Sequence, residues 1–274
     1  MTISTAQWPP GIQRLLHEAQ TDAADRLAGR PMERAVVLSQ VTGLQFATQS
    51  FPMYFTGAFE SKMVLIHLNP KLSDRLVNVN YPDFETYLDA HRRFGYHHWE
   101  QDPKYRSAFD HKQVRFLRPF EIIDFLPDSN PNHRRVNAAR ALDHKLQLEL
   151  IPYATQTFTG RDFNSEVLAP HFQRVLGAIA AYPREYVIFC GAVFDQLLSK
   201  SDLVIAREDF SFSIPTTKGT SVSKYRFSNV RFQYGDQLIH SGIAQSFATQ
   251  GMPMPAYGAM CQKLYGHSSE ECAT

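Results

Sequence analysis

The stretch that decides the fold is Met63-Val64-Leu65-Ile66-His67-Leu68-Asn69-Pro70, a short apolar run that ends in a polar residue and a proline. Residues 146–153, 186–191 and 236–242 repeat this arrangement, because each is an apolar run followed by polar, Gly or Pro residues. Short apolar runs that alternate with helical patterns are typical of buried parallel strands. The sequence therefore predicts an α/β/α sandwich around a central, mostly parallel, four-stranded sheet.

The ends of these four runs predict where a binding site lies. In an open parallel sheet, ligands bind just beyond the carboxyl ends of the strands. Four residues stand at or just after the ends of the runs: Asn69, Tyr153, Gly191 and His240. We expect them to lie together on one rim of the sheet.

The sequence between and around the runs predicts one α/β domain over residues 1–274, with a long insertion at about 71–145. Asn137 is expected to cap a helix over 138–145, and Pro170 to occupy the first turn of a later helix. The aromatic-rich residues 209–234 predict a hairpin or an extended loop.

Composition excludes several classes of protein. The chain has 274 residues, of which 43% are hydrophobic and 20% charged, as in ordinary globular proteins. A formal net charge of +1 provides no overall attraction to nucleic acid, so only a local patch could bind it. The longest apolar run, 186–194, is far shorter than the roughly 20 residues of a membrane span. With no signal-peptide pattern at the N-terminus, we expect a cytoplasmic protein without a membrane partner.

Cofactor and metal sites find no support in the sequence. Cys190, Cys261 and Cys272 are widely spaced, which argues against a disulfide framework, a Cys-rich zinc site and a four-cysteine iron–sulfur cluster. Neither a dinucleotide-binding glycine motif nor a phosphate-binding loop follows a predicted strand. The histidines around His97-His98 match no standard zinc spacing. We therefore predict no cofactor and no metal.

Three strand ends could take part in chemistry, and each has a purely structural alternative. Asn69, held by Pro70 in a turn, could bind water and a ligand carbonyl, or could simply end a strand. His240, followed by Ser241, could stabilise a developing anion, or could cap a turn. Tyr153 lies in a loop, 151–158, whose aromatic, amide and hydroxyl groups suit a planar ligand, although an ordinary structured loop is equally compatible. The absence of a G-x-S-x-G motif argues against a serine hydrolase.

The segment 91–118 inside the insertion is basic and aromatic. It contains seven Lys or Arg residues and three acids, with Phe, Tyr and Trp residues such as Tyr96, Trp99 and Tyr105 among them. Cations interleaved with aromatic rings suit phosphate contact combined with base stacking. The alternative is a solvated helical face with the aromatic rings packed beneath it. The candidate phosphate contacts are Arg92, Arg93, Lys104 and Arg106.

The order of these elements resembles the uracil-DNA glycosylase superfamily. That family has a parallel α/β/α sheet with a G-x-[ND]-P motif after the first strand and a His-containing motif after the last. Here His67-Leu68-Asn69-Pro70 takes the first place and His240-Ser241-Gly242 the last, and the resemblance spans roughly residues 60–250. The chain departs from the family pattern at several positions. His67 and Lys71 stand where the family usually has Gly, no Pro follows His240, and the second strand ends in Pro152-Tyr153 where classical members have Asn.

The resemblance implies roles for particular residues. Asn69 would position the hydrolytic water, and His240 would stabilise negative charge on the leaving base. Tyr81 or Phe84 would stack on an extruded base. The remaining contacts to the substrate would come from the other rim residues, Pro70, Tyr153, Gly191 and Ser241.

Three functional hypotheses remain open at this point. The first is an N-glycosylase that acts on a damaged or deaminated nucleobase. The second is a non-catalytic protein that binds a nucleotide or nucleic acid on the same rim. The third is an unrelated α/β hydrolase of a small molecule. The expected partner in the first two is a nucleic acid or another nucleobase-containing ligand.

Overall fold

Seven strands form one sheet in the computed structural model, which describes residues 7–72, 79–156, 164–249 and 251–266. The strands are β1 (Phe55–Gly57), β2 (Met63–His67), β3 (Lys145–Glu149), β4 (Tyr186–Cys190), β5 (Val204–Pro215), β6 (Val222–Tyr234) and β7 (Gln237–Ala244). The α-helices are α1 (Pro10–Leu27), α2 (Glu33–Thr42), α3 (Phe84–Arg92), α4 (Ala108–Leu117), α5 (Pro131–His144), α6 (Ser165–Ala180), α7 (Ala192–Ser199) and α8 (Met254–Leu264). A π-helical turn spans Tyr96–Glu100 and a 3₁₀ turn Arg118–Phe120. None of the described helices is both long and apolar enough to cross a membrane.

The sheet is mixed, with the strand order β1-β3-β2-β4-β7-β6-β5. β3, β2, β4 and β7 pair with one another in parallel. β1 pairs antiparallel with β3, and β6 pairs antiparallel with both β7 and β5. The predicted α/β class is confirmed, but the sheet has seven strands where four were expected. The additional strands come from a three-residue segment too short to predict and from the 209–234 region, which forms the expected hairpin but joins the main sheet.

The central strand β2 faces a different apolar cluster on each side. Val64 and Ile66 pack in the cluster to which α1 and α6 contribute, and Met63 and Leu65 pack in the one that includes residues of α4 and α8. All five residues of β2 are buried. Burial on both faces explains why the strand is a continuous apolar run instead of an alternating pattern.

Two helices begin earlier than predicted. α5 is capped by Asn130, whose side chain accepts a hydrogen bond from the Asn132 backbone N–H. Asn137 lies inside the helix, where its carboxamide bonds the backbone N–H and carbonyl of Leu126. Pro170 lies within α6, which starts at Ser165 after the cap Asn164. Asn137 and Pro170 are residue types that favour the start of a helix, but both lie in the interior of their helices.

β7 is longer than predicted, and this moves the end of the fourth parallel strand. The residues His240-Ser241-Gly242 had the composition of a turn, yet the strand continues to Ala244. Ser241 hydrogen-bonds the Val230 carbonyl at 3.1 Å, so its hydroxyl is satisfied inside the sheet. Gly242 is required for space, because a Cβ there would overlap the Phe227 ring. Gly242 is therefore explained by close packing inside the sheet and not by a turn.

Gly57 provides a test of the close approach between β1 and β3. Its φ is +89°, and a Cβ at this position would overlap the carbonyl oxygen of Lys145. Gly57→Ala should lower the free energy of unfolding by more than about 4 kcal/mol, since both the backbone and the space oppose a side chain.

The matched control for that variant is Gly219→Ala. Gly219 has a φ of +67° but open space around the missing Cβ. It should lose only about 1 kcal/mol, from the left-handed conformation alone. Urea unfolding of both variants measures the difference, and equal losses would show that the contact with Lys145 does not limit β1.

Candidate functional site at the carboxyl ends of the parallel strands

The most suitable position for a site lies between the carboxyl ends of β2 and β4. From β2 the chain crosses to β3 on one side, whereas β4 lies on the other, so the strand order reverses between β2 and β4. Ligands of open α/β sheets bind at this kind of reversal, outside the carboxyl ends. The residues that leave the two strands here are Asn69 after β2 and Gly191 after β4.

Asn69 lies at this rim, as predicted from the sequence. Beyond the formal strand ends, the backbone N–H groups of residues 150 and 151 still donate to the carbonyls of 67 and 68, each at 2.8 Å. The Asn69 Nδ2 donates to the carbonyls of Pro70 (3.0 Å) and Tyr153 (3.5 Å). The carboxamide therefore connects the ends of β2 and β3. The segments 73–78 and 157–163, which begin shortly beyond these ends, lie outside the described residues, and with them Thr157 and Phe158 of the predicted loop.

Gly191 also lies at the rim. Its φ of +137° disfavours a residue with a side chain, and its N–H donates to the Ala244 carbonyl at 2.9 Å. It is the residue directly before α7.

The ring of Tyr153 turns away from the rim, which corrects its prediction as a ligand-stacking residue. Only 1% of the residue is exposed. Its hydroxyl donates to Asp22 Oδ2 at 2.7 Å, and Tyr54 donates to the same oxygen at 2.6 Å. Arg34 binds the other carboxylate oxygen at 2.9 Å. The aromatic ring thus belongs to a buried network that attaches the loop to α1.

The prediction that His240 and Ser241 share the rim with Asn69 is wrong. His240 lies within β7, opposite Arg231 of β6, and its side chain is exposed. Tyr265 donates to the His240 carbonyl and accepts from the Val187 N–H, so His240 is level with the amino end of β4. Ser241 is 2% exposed and bonded within the sheet. The extension of β7 to Ala244 is the physical reason.

Tyr81 and Phe84 are half-buried in an aromatic cluster. Tyr81 makes edge contacts to Phe51 and Tyr87 at centroid distances of 4.9 and 5.5 Å. Phe84 stacks on Tyr87 at 5.4 Å. Their described contacts are with other protein side chains, and their predicted role in stacking on a base stays a prediction.

The four predicted phosphate contacts do not form one patch. Arg92 packs its guanidinium over the Trp8 ring at 4.9 Å, and with Arg93 it lines a cavity near Asp143, at the amino ends of the strands. Lys104 and Arg106 lie in the loop directly before α4, whose first turn contacts His67 at the carboxyl end of β2 through Phe109. The structure therefore divides the basic segment between the two ends of the sheet.

A buried polar cluster, which the sequence reasoning missed, lies directly below the rim. Lys145, Gln147 and Glu149 project from one face of β3 and are at most 6% exposed. Lys145 Nζ donates to Gln147 Oε1, and Gln147 Nε2 donates to Glu149 Oε1 at 2.6 Å. Gln113 of α4 donates to the same Gln147 oxygen at 2.7 Å. His67, paired with Glu149 across the two strands, completes the cluster.

Burial shifts the pKa values of this polar cluster towards the neutral forms. Burial lowers the pKa of Lys145 to about 7, although the nearby carboxylates of Asp110 and Glu149 act to raise it. Burial also raises the pKa of Glu149 to about 8. Burial, together with Lys145, lowers the pKa of His67 to about 3. One oxygen of Glu149 and the carboxamide oxygen of Gln113 have no hydrogen-bond partner among the described residues. Perturbed ionisable groups beneath a strand end are typical of functional sites.

One signal in the sequence could have identified the polar cluster. Lys145, Gln147 and Glu149 alternate with Leu146 and Leu148, which is the period of a strand with one polar face. Grouping the segment with the apolar runs concealed this alternation. Nothing in the sequence indicates that Gln113, 34 residues away, meets Gln147.

A groove of about 560 Å³ lies at the opposite end of the sheet. Met63 and Tyr186, the first residues of β2 and β4, line it together with several acidic side chains. Because open α/β sheets bind ligands at the carboxyl ends, we place the candidate site at the rim and not in this groove. In the described parts of the chain, no three His, Cys, Asp or Glu side chains converge as metal ligands.

Comparisons of the chain with protein-family models, with curated proteins and with solved structures found no match. The assignment of function therefore depends on the residues at the rim.

The titration of the polar cluster predicts that Glu149 and Lys145 change stability in opposite directions on the two sides of neutral pH. Between pH 4.5 and 8 the folded protein binds more protons at Glu149 than the unfolded chain, so the contribution of Glu149 to stability falls as pH rises. Up to about pH 6.5 His67 offsets this fall, because its lowered pKa means that the unfolded chain binds the additional proton there. Between pH 7 and 10.5 the unfolded chain binds more protons at Lys145, so the contribution of Lys145 to stability rises. Glu149→Gln should remove the fall and Lys145→Met the rise, measured by urea unfolding across the pH range.

The control for this titration is Glu100→Gln, at an exposed carboxylate. It should leave the pH profile of stability unchanged. Profiles of Glu149→Gln and Lys145→Met that both keep the pH dependence of the wild-type protein would contradict the assignment.

Proposed function

We propose that the protein is an N-glycosyl hydrolase that acts on a nucleobase, with Asn69 as the residue that orients the attacking water. The observation that carries this proposal is the position of Asn69-Pro70 at the carboxyl end of β2, beside the reversal of strand order. The parallel pairing of β3, β2, β4 and β7 supports a sheet similar to that of the uracil-DNA glycosylase superfamily. In that family the first motif occupies the same place.

The length of β7 changes which residues correspond to the family's last, His-containing motif. The family places this motif after its last strand, and β7 ends at Ala244. Gln245 and Ser246 therefore take the place that His240 and Ser241 hold in the sequence comparison. Gln245 is half-buried, and its backbone N–H donates to the Tyr257 hydroxyl at 2.6 Å, which anchors the residue at the rim.

The proposed reaction needs one oriented water and one donor to the leaving base. The Asn69 carboxamide oxygen, which accepts no hydrogen bond from a described residue, would accept one from the water. The water oxygen bonds the sugar C1′ as the bond to the base breaks, and the base departs with the electron pair. Gln245 would donate its amide N–H to the developing charge on the base. The base then takes up a proton released from the water.

Single-turnover release of base from oligonucleotides that contain uracil, hypoxanthine or xanthine tests this proposal. Asn69→Ala and Gln245→Ala should each lower the rate by about 10²-fold or more, because both groups act mainly in the transition state. DNA affinity should change little in either variant.

His240→Ala is the matched control for the rate measurement, since this exposed residue lies at the level of the other end of the sheet. It should retain the wild-type rate. A strong loss in His240→Ala with no loss in Gln245→Ala would overturn the reassignment of the second motif. The absence of release from every substrate by the wild-type protein would overturn the hydrolase.

The second candidate is a binding protein that uses the same rim without catalysis. The observation that favours it is the displacement of His240 from the rim, which removes the histidine of the family's last motif from the neighbourhood of Asn69. Such a protein would bind nucleobases or nucleosides in calorimetry but release no base. Loss of binding in Asn69→Ala would locate the ligand at the rim.

Salt dependence tests which basic residues meet phosphate. Lys104 and Arg106 precede α4, whose first turn contacts His67 below the rim through Phe109. The double variant Lys104→Ala/Arg106→Ala should therefore flatten the salt dependence of oligonucleotide binding by about one to two powers of salt. Arg92→Ala/Arg93→Ala should leave it unchanged, because this pair lines the cavity near Asp143. The opposite result would place the nucleic acid at the amino ends of the strands.

A further inference from the structure

His67 is held in one orientation at the end of β2. Its ring lies between Phe109 and Phe247, at centroid distances of 5.1 and 5.4 Å and interplanar angles of 69° and 68°. Edge contacts on both sides restrict the rotation of the imidazole. The residue is 6% exposed and stands two positions before Asn69.

The hydrogen bonds of the polar cluster determine where His67 holds its proton, beginning with Lys145. Below its pKa of about 7, Lys145 is an ammonium group, which can only donate, so the Gln147 atom that it contacts is the carboxamide oxygen. The Gln147 nitrogen then faces Glu149, which accepts at 2.6 Å. The orientation of the Gln147 carboxamide is therefore fixed at both ends.

Gln113 transmits this orientation to His67. The Gln147 oxygen accepts from Gln113 Nε2 at 2.7 Å, which identifies that atom as the amide nitrogen. The same nitrogen lies 3.2 Å from His67 Nε2. Since an amide nitrogen donates and does not accept, Nε2 of the imidazole is the acceptor and its single proton is on Nδ1. The low pKa of His67, caused first by burial, keeps the ring neutral.

The donor that results has no partner among the described residues. No described group bonds His67 Nδ1, although the side chain is more than nine-tenths buried. His67 Nδ1 is not one of the fully buried side-chain atoms that lack a hydrogen-bond partner, so water or a ligand can reach it. Nearby, Phe109 is 37% exposed and presents an aromatic surface beside the imidazole.

We propose that His67 Nδ1–H is a fixed hydrogen-bond donor to a planar ligand, and that Lys145, Gln147 and Gln113 are positioning residues that select this tautomer. The ligand atom must be an acceptor, such as a carbonyl oxygen or an unprotonated ring nitrogen. A nucleobase meets both requirements, because it has such atoms and a flat surface for Phe109. The identity of the ligand rests on the proposed function, whereas the tautomer does not.

Nitrogen-15 NMR of the histidine-labelled wild-type protein measures the tautomer without any ligand. His67 should show a protonated Nδ1 and an unprotonated Nε2 from pH 5 to 6.5, where Lys145 is an ammonium group. His91 is an internal reference, because its Nδ1 lies 2.9 Å from the Tyr87 carbonyl and must carry the proton there. Protonation of His67 on Nε2, or a midpoint of titration near 6.5, would overturn the assignment.

Two variants test the positioning residues. In Gln113→Glu the carboxylate would accept from His67 and move the proton to Nε2. Gln113→Met removes the donor without adding a charge and should give a mixture of the two tautomers. The His91 signals should be unchanged in both folded variants. A His67 that keeps its proton wholly on Nδ1 in folded Gln113→Met would show that the polar cluster does not select the tautomer.

Titration with uracil, hypoxanthine and xanthine tests the donor. Each base that binds should shift the His67 Nδ1 resonance and leave that of His91 in place. His67→Phe, which keeps a planar ring but has no donor, should weaken binding by about tenfold. Binding that leaves His67 unshifted, or no binding of any of these bases, would overturn the donor role. A His67 shift in a protein that releases no base would instead uphold this inference and overturn the hydrolase.

Discussion

The burial of β2 on both faces, together with hydrogen bonds along both of its edges, is the constraint on which the rest of the structure depends. β2 pairs in parallel with β3 and with β4, and each face packs in a separate apolar cluster. Such a strand cannot shift its register by one residue without exchanging the side chains of the two clusters. This requirement places His67 and Asn69 at the carboxyl end of β2, next to the reversal of strand order.

The polar face of β3 is the part of this arrangement whose burial is unfavourable in free energy. Lys145, Gln147 and Glu149 are removed from water and are tolerated because each bonds to a neighbour. Helix α4 contributes Gln113 to the same network, so the packing of this helix and the polarity of the strand depend on each other. A network of this kind usually allows only one arrangement of its carboxamides. That property makes the orientation of His67 a consequence of the fold.

The two ends of the sheet differ in their chemistry. The carboxyl end combines Asn69, His67, Gly191 and the exposed ring of Phe109, whereas the amino end has a groove with acidic side chains. His240, which the sequence resemblance aligned with the last motif of the uracil-DNA glycosylase superfamily, lies on the level of the amino end because β7 continues for four more residues. The proposed catalytic pair is therefore Asn69 with Gln245, and the histidine next to Asn69 is one that the family resemblance does not include.

The sequence by itself determined the α/β class, the four segments that pair in parallel and the position of Asn69 at a strand end. These features follow from local patterns, namely apolar runs and the turn that proline enforces. Only the tertiary structure decided where β7 ends, that Tyr153 turns its ring to Asp22 and that Gln113 meets His67 and Gln147. Strand length and side-chain partnership depend on residues far apart in the chain. Gly242, for example, has the composition of a turn and is instead required by the ring of Phe227.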